Sequence, residues 1–420
     1  VPVAFKINLR KNSGIALIFV LGTVAIISVI AIEMAQKVQM AKMMVVERRD
    51  SVKALELAKA AYRWSLFRLQ MDKTLDKVPA IPGTNYGGPK DDFSEIQWNF
   101  PLTYPFPVTS ILTGTTDDQP QSTPSDPGEN GTFASTITDE SAKLNINDVG
   151  SSTIQSGTRW SGAASILVNL LASPRFQLFF SASSNKNILD IPRAIDDWTD
   201  SDTQVNYLRG GDENTEYKTE NITFNVKNGK MYTVDEVRML EPMNYKLFEE
   251  LKPFITVYPF DAKLPRISAS PVVPLGKLNI NTAPVELIAA IFSQTAMTSN
   301  RARLDCAQLF AKMRAVAAFR SVKSGGTEPN LMTFLQSNCG GGTPENVKTF
   351  IDSEVLGILD VRSDVFRIEA SGFAGDIEKK IEAVVLRSGD NRKFSTGKCI
   401  NGTKDTRPGH RITFDQSGAV

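Results

Sequence analysis

The chain has 420 residues with 47 Lys and Arg against 46 Asp and Glu, one His, three Cys and 41% hydrophobic side chains. That balance removes the positive surplus that draws in nucleic acid or anionic lipid, and the single His410, set in a Gly/Lys/Thr-rich tail, leaves little for His-dependent catalysis or a His-rich metal site. The hydrophobic content suits one membrane span joined to a large soluble part, and fits neither a polytopic nor a disordered chain.

The first element is "LRKNSGIALIFVLGTVAIISVIAIEM". From Ile15 to Ile32 no residue is charged, and Thr23 and Ser28 are the only polar side chains, so a helix here can just cross a hydrocarbon core. Good helix formers follow without Gly or Pro until Pro79, which predicts one continuous helix over 15–76. From Ile15 to Leu75 it would be roughly 90 Å long at 1.5 Å per residue. Val52, Leu55, Ala58, Tyr62, Leu66 and Leu69 predict an apolar stripe on its second half. Lys6, Arg10 and Lys11 precede the span without any acid, which favours a cytoplasmic N-terminus.

The stretch 79–131 is rich in Pro, Gly, Thr and Asp and reads as loops around short extended pieces such as 96–102. "TFASTITDESAKLNIN" predicts a strand, a turn at 139–141 and a second strand. Near the other end, "DVFRIEASGFAGDIEKKIEAVVLRSG" predicts a β-hairpin, with strands 365–371 and 377–386. Between these strands lie candidate helices at 163–172, 188–198, 234–240, 245–251, 284–292, 301–319 and 343–353. The expected fold class is α+β: a long N-terminal transmembrane and amphipathic helix packed on a small antiparallel sheet, with a large inserted, mainly α-helical domain. The expected domains are a basic leader at 1–14, the helix at 15–76 with its span at 15–32, an α+β domain from 77–142 and 357–390, the insertion at 143–356, and a tail at 391–420.

"AKLNIND" at 142–148 and "GKLNINTAPVELIAAI" at 276–291 echo each other. In the second, Thr282 is expected to cap a helix carrying Pro284 in its first turn. "LNINTAP.EL" resembles the start of helix-hairpin-helix modules, some of which grip DNA phosphates through a glycine hairpin. No such hairpin follows, so a membrane-anchored, competence-type DNA-binding protein is the second-ranked function.

"DDWTDSDTQVNYLRGGDENTEY" gathers Asp196, Asp197, Asp200, Asp202, Asp212, Glu213 and Glu216. Either it is a solvated acidic turn, or its oxygens hold a hard cation, calcium fitting a flexible many-oxygen loop better than magnesium. Cys306, Cys339 and Cys399 have no CxxC pair for zinc, and a Cys306–Cys339 disulfide and three free thiols both remain open.

Two resemblances add to this reading. A short basic leader, Gly14, and an apolar helix running into an amphipathic one resemble the leader of type IV pilins and pseudopilins. The resemblance implies cleavage between Gly14 and Ile15 by a membrane prepilin peptidase, with methylation of the new N-terminus. It also implies a glutamate at the fifth mature position, where this chain has Phe19. A carboxylate in a bilayer needs a partner, in that family the N-terminus of a neighbouring subunit, and Phe19 cannot supply the pair. The absent charge therefore points to a subunit at the filament end.

The order Asp197–Trp198–Thr199–Asp200–Ser201–Asp202, then Gly211–Asp212–Glu213 and Tyr217, is similar to the acidic signature of the K-class minor pseudopilins of type II secretion, the general secretion pathway protein K family. "YTVDEVRMLEPMNYKLFEELKPFITVYP", "KLNINTAPVELIAAI" and "FRIEASGFAGDIEKKIEAVVLR" resemble its later blocks in order. What this implies is a non-enzymatic inner-membrane protein with its globular part in the periplasm, at the tip of a pseudopilus for export across the outer membrane. The implied partners are two other minor pseudopilins in a tip complex of three, the major pseudopilin, the prepilin peptidase, and possible contact with secreted substrate and the outer-membrane channel, but no nucleic acid. The implied cofactor is calcium, with Asp197, Asp200, Asp202 and Glu213 chosen as ligands.

Overall fold

The computed structural model describes residues 13–75, 102–104, 131–149, 162–180, 187–199, 218–219, 222–223, 226–259, 276–292, 299–323, 330–339, 350–387, 394–396 and 400–401. Helix α1 runs unbroken over Ser13–Leu75, 63 residues, as the absence of Gly and Pro after Gly22 predicts. A six-stranded sheet has the order β1 (Leu102–Tyr104), β2 (Thr132–Asp139), β9 (Val365–Ala374), β10 (Ile377–Arg387), β11 (Phe394–Thr396), with β12 (Ile400–Asn401) also on β10. Strands β9 and β10 are the predicted hairpin, turning through Gly375 at φ +55°, a left-handed conformation that suits glycine. The part of the predicted tail at 394–396 and 400–401 continues this sheet antiparallel to β10.

By its contacts the chain divides into two units, one of Val1–Ala61, Thr103–Ala134 and Ala370–Lys380, the other of Tyr62–Leu102, Ser135–Glu369 and Ile381–Val420. In the first unit, Ala54, Ala58 and Ala61 of α1 are fully buried, whereas Val52 of the predicted stripe is 57% exposed. Sterics give the reason. A Cβ placed on Gly372 would stand 2.0 Å from the Ala54 carbonyl oxygen and 2.5 Å from the Ala58 nitrogen, so strand backbone lies directly on helix backbone and leaves room only for small side chains. Gly131, at φ +67°, makes a similar close approach to Leu57. In the second unit Leu69 packs with Ile137, Phe366, Ile368 and Val385, while Tyr62 and Leu66 flank them.

The second unit also holds the larger core, built by short elements. These are β3 (Leu144–Asn145), α2 (Ile146–Val149), α3 (Gly162–Leu171), α4 (Asp190–Thr199), β4 (Lys218–Thr219), β5 (Ile222–Thr223), a 3-10 helix at Val234–Met239, α5 (Tyr245–Leu251) and β6 (Ile255–Thr256). There follow β7 (Leu278–Asn279), α6 (Val285–Ile291), α7 (Asn300–Val316), α8 (Leu331–Asn338), α9 (Ser353–Ile358) and β8 (Leu359–Asp360). The asparagine Asn244 starts α5 by accepting from Leu247 N at 2.8 Å, and Asn330 starts α8 by accepting from Thr333 N at 2.7 Å.

Three expectations are corrected. Pro284, not Thr282, occupies the cap position of α6, because the Thr282 hydroxyl is drawn away to donate to Asp139 Oδ2 at 2.5 Å. Helix α7 stops at Val316 rather than 319, since Phe319 N is held by Asn281 Oδ1 at 2.9 Å. Of the helix predicted at 343–353, positions 343–349 lie outside the described residues, Phe350 is helical, and a separate helix covers Ser353–Ile358. The second strand of "TFASTITDESAKLNIN" exists as β3, but it pairs parallel with β6 rather than within the main sheet.

Candidate functional site

The exposed length of α1 is the first candidate site. Residues from Ala16 to Arg49 have no buried member, and this is the one described helix long and apolar enough to cross a membrane. Gly14 and Ile15 lie within α1, and the Phe19 side chain is 71% exposed, so the position expected to carry a carboxylate presents an aromatic ring outward. The Thr23 and Ser28 hydroxyls donate to the Val20 and Val24 carbonyls, which removes the two polar groups of the span from any need of water.

The two "LNIN" stretches perform the same task twice. Leu144 pairs with Ile255 in one parallel ladder and Leu278 with Leu359 in the other. In each, the first asparagine accepts from the amide two residues on, Asn145 from Asn147 at 3.0 Å and Asn279 from Asn281 at 2.8 Å. The second asparagine clamps backbone distant in sequence. Asn147 accepts from Met231 N at 2.7 Å and donates to Met231 O at 3.0 Å and Val257 O at 3.5 Å. Asn281 accepts from Phe319 N at 2.9 Å and donates to Phe319 O at 2.9 Å and Val361 O at 3.0 Å. All four asparagines are buried. Their polar atoms brace the protein itself, as expected of a packing unit rather than a phosphate grip.

Where the helical part leaves β2 and returns to β9, a buried polar joint forms that sequence reading missed. Asp139 accepts from Ser141 N at 2.7 Å and from the Thr282 and Ser363 hydroxyls, while Asn279 Nδ2 donates to Ser363 Oγ at 2.6 Å. Ser141 Oγ accepts from the amides of Asp364 and Val365, both at 3.1 Å. Glu140, fully buried, receives Lys143 at 2.8 Å, Arg367 Nε at 2.7 Å and the Thr256 hydroxyl at 2.5 Å, and Arg367 also bonds Glu382. Burial alone would raise the Glu140 carboxyl, but Lys143 and Arg367 outweigh it and hold the group below the usual glutamate range. Burial would likewise lower Arg367, and Glu140 with Glu382 reverses that. The signal in the sequence was "DES" between a strand and "LNIN", yet Thr256, Thr282, Ser363 and Arg367, which complete the joint, lie more than 100 residues away.

Of the four predicted metal ligands, Asp197 sits near the end of α4 with 2% exposure, and Asp200, Asp202 and Glu213 lie outside the described residues. Among the described residues no group of three or more His, Cys, Asp or Glu is placed to hold a metal. Cys306 and Cys339 form a disulfide with Cα atoms 5.7 Å apart, tying α7 to the end of α8.

The described residues combine a long N-terminal apolar helix, a small antiparallel sheet and an added helical part. Residues 142–260 match the family model of type II secretion system (T2SS), protein K. A chain of the crystal structure of the GspK-GspI-GspJ complex from the enterotoxigenic Escherichia coli type 2 secretion system is similar in fold, at 18% identity and a TM-score of 0.53, over 85% of this chain and 98% of that one. No curated protein sequence matches. The matched segment is thus similar to protein K of the type II secretion system, and the fold is shared with a chain of that complex.

Proposed function

We propose that the protein occupies the tip of the pseudopilus, initiating or capping its assembly. The observation that carries this reading is Phe19. The ring is exposed on a helix that otherwise has the form of a filament subunit, and it cannot reach the amine of a subunit above as a carboxylate would. In this reading the prepilin peptidase cuts between Gly14 and Ile15, the span stays in the inner membrane and the globular part faces the periplasm. The disulfide supports that compartment, since such bonds persist where the environment is oxidising. The inserted helical domain, 143–356, crowns the tip beside two further minor pseudopilins. The complex named in the similar crystal structure supports partners of that kind. The role is assembly, with the major pseudopilin below and secreted substrate or the outer-membrane channel above.

Intact-mass analysis of the membrane-extracted protein, with and without the peptidase, tests the cleavage: the expected mature chain begins at Ile15. Gold labelling of overproduced pseudopili tests the position. Label at filament ends is expected, and label along the shaft would overturn the tip assignment. Calcium bound through Asp197, Asp200, Asp202 and Glu213 belongs to the same proposal. A chelator is expected to lower the melting temperature of the calcium-loaded protein, and an unchanged transition would exclude the ion.

A further inference from the structure

In the second unit, the region after α3, the helix α6 and the first turn of α7 surround a cavity of about 370 Å³ whose lining includes Ser173, Arg175, Glu286, Asn300 and Arg303. Arg303 is 4% exposed. One of its terminal nitrogens donates to Asn300 Oδ1, and Asn300 Nδ2 donates to the Ala172 carbonyl at 3.0 Å, which fixes the guanidinium plane. The other terminal nitrogen is buried and meets no acceptor among the described residues, and the Ser173 hydroxyl is buried in the same condition. Arg175 is different: it is already paired with Glu250 at 2.8 Å and approaches Glu286 at 3.7 Å.

Buried donors are almost always satisfied, and a guanidinium does not escape its need by losing its proton. Here the two residues that carry these unmet groups both line one cavity, and Arg303 stands in the first turn of a 17-residue helix, where the backbone also favours negative charge. The free edge of a guanidinium fork beside a hydroxyl matches a planar carboxylate. A doubly charged phosphate is less suited, because Glu286 is part of the lining. Val285, Ala289 and Leu304 complete the wall with apolar surface, so the acid it suits carries a short aliphatic group.

We infer that this cavity binds the carboxylate of a short aliphatic acid, either a polypeptide C-terminus or a free small acid, with Arg303 and Ser173 as its donors. The inference does not depend on the tip assignment.

The test is a thermal-shift titration of the full chain in detergent with butyrate, with an acetylated dipeptide ending in a free leucine carboxylate, with its C-terminal amide, and with inorganic phosphate. A saturable rise with the acids and none with the amide is expected. A peptide acid bound at least about tenfold more tightly than butyrate assigns the site to a chain terminus, and equal binding assigns it to a free acid. Arg303→Met removes an unmet buried charge and is expected to keep the fold while weakening binding at least about tenfold. If that variant does not fold, Ser173→Ala carries the test and is expected to weaken binding severalfold. Equal response to acid and amide, no response to either acid, tighter binding of phosphate, or undiminished binding in the folded variant would each overturn the proposal.

Discussion

Asn281→Ala isolates what one buried side chain contributes to the helical part. The substitution deletes an acceptor for Phe319 N and donors to the carbonyls of Phe319 and Val361, at residues that are only 6%, 3% and 7% exposed for 281, 319 and 361. A buried amide left without an acceptor costs about 1–3 kcal/mol, and the two carbonyls add a smaller amount because each keeps a second lone pair. The expected total is about 3–4 kcal/mol, or roughly 10 °C in the melting transition for a unit of this size. Asn281→Asp retains the acceptor but turns carboxylate oxygen toward two carbonyl oxygens, so it is expected to be at least as destabilising as alanine. Differential scanning calorimetry of the full chain in detergent, with hydrogen exchange read at Phe319, measures both. A shift of under about 2 °C, with Phe319 still protected, would refute the view that the clamp holds these strands.

Gly372→Ala is expected to loosen the β-sheet from α1 or block folding, because its Cβ has no space beside the Ala54 oxygen; Gly22→Ala, with nothing within 4 Å, is the silent control, and limited proteolysis distinguishes the two. Because Glu140 has a depressed carboxyl pKa, the folded state binds fewer protons than the unfolded one just below the usual glutamate range. The stability it adds is therefore present at neutral pH and lost as pH falls through the folded value. Acid-unfolding curves should show a shallower loss for Glu140→Gln, from a lower starting stability, and identical slopes would count against the joint as described. Reducing the Cys306–Cys339 bond, which spans 33 residues, is expected to cost up to about 4 kcal/mol, seen as a lower melting temperature in dithiothreitol and in Cys306→Ala.

Elements whose signals are local were legible. Helix α5 appears with the predicted bounds, capped by Asn244, and the β9–β10 hairpin with its glycine turn lies within a few residues of its forecast. The long helix was readable from composition alone. Its buried face was legible in part: Ala58 and Leu69 of the forecast stripe are fully buried, and Tyr62 and Leu66 pack beside Leu69. Val52 and Leu55 looked like core because they are apolar, and only the approach of Gly372, more than 300 positions away, selects alanines instead. The repeated "LNIN" showed that something was used twice, but not that Asn147 and Asn281 would hold Met231 and Phe319. Thr282 was misread for the same reason: its hydroxyl is claimed by Asp139, a partner 143 residues away that no helix-capping rule takes into account.

The Asp139–Ser363 bond also constrains the order of events in the cell. The two residues are 224 positions apart, so Asp139 leaves the ribosome, and by the topology proposed above crosses the membrane, long before the hydroxyl that completes its shell. Until Ser363 arrives, a carboxylate destined for the interior has to stay in water, and strand β2 cannot settle beside β9. In that proposed topology the sheet can close only after β9 and β10 have crossed, so a complete surface would form only once the last third of the chain has followed.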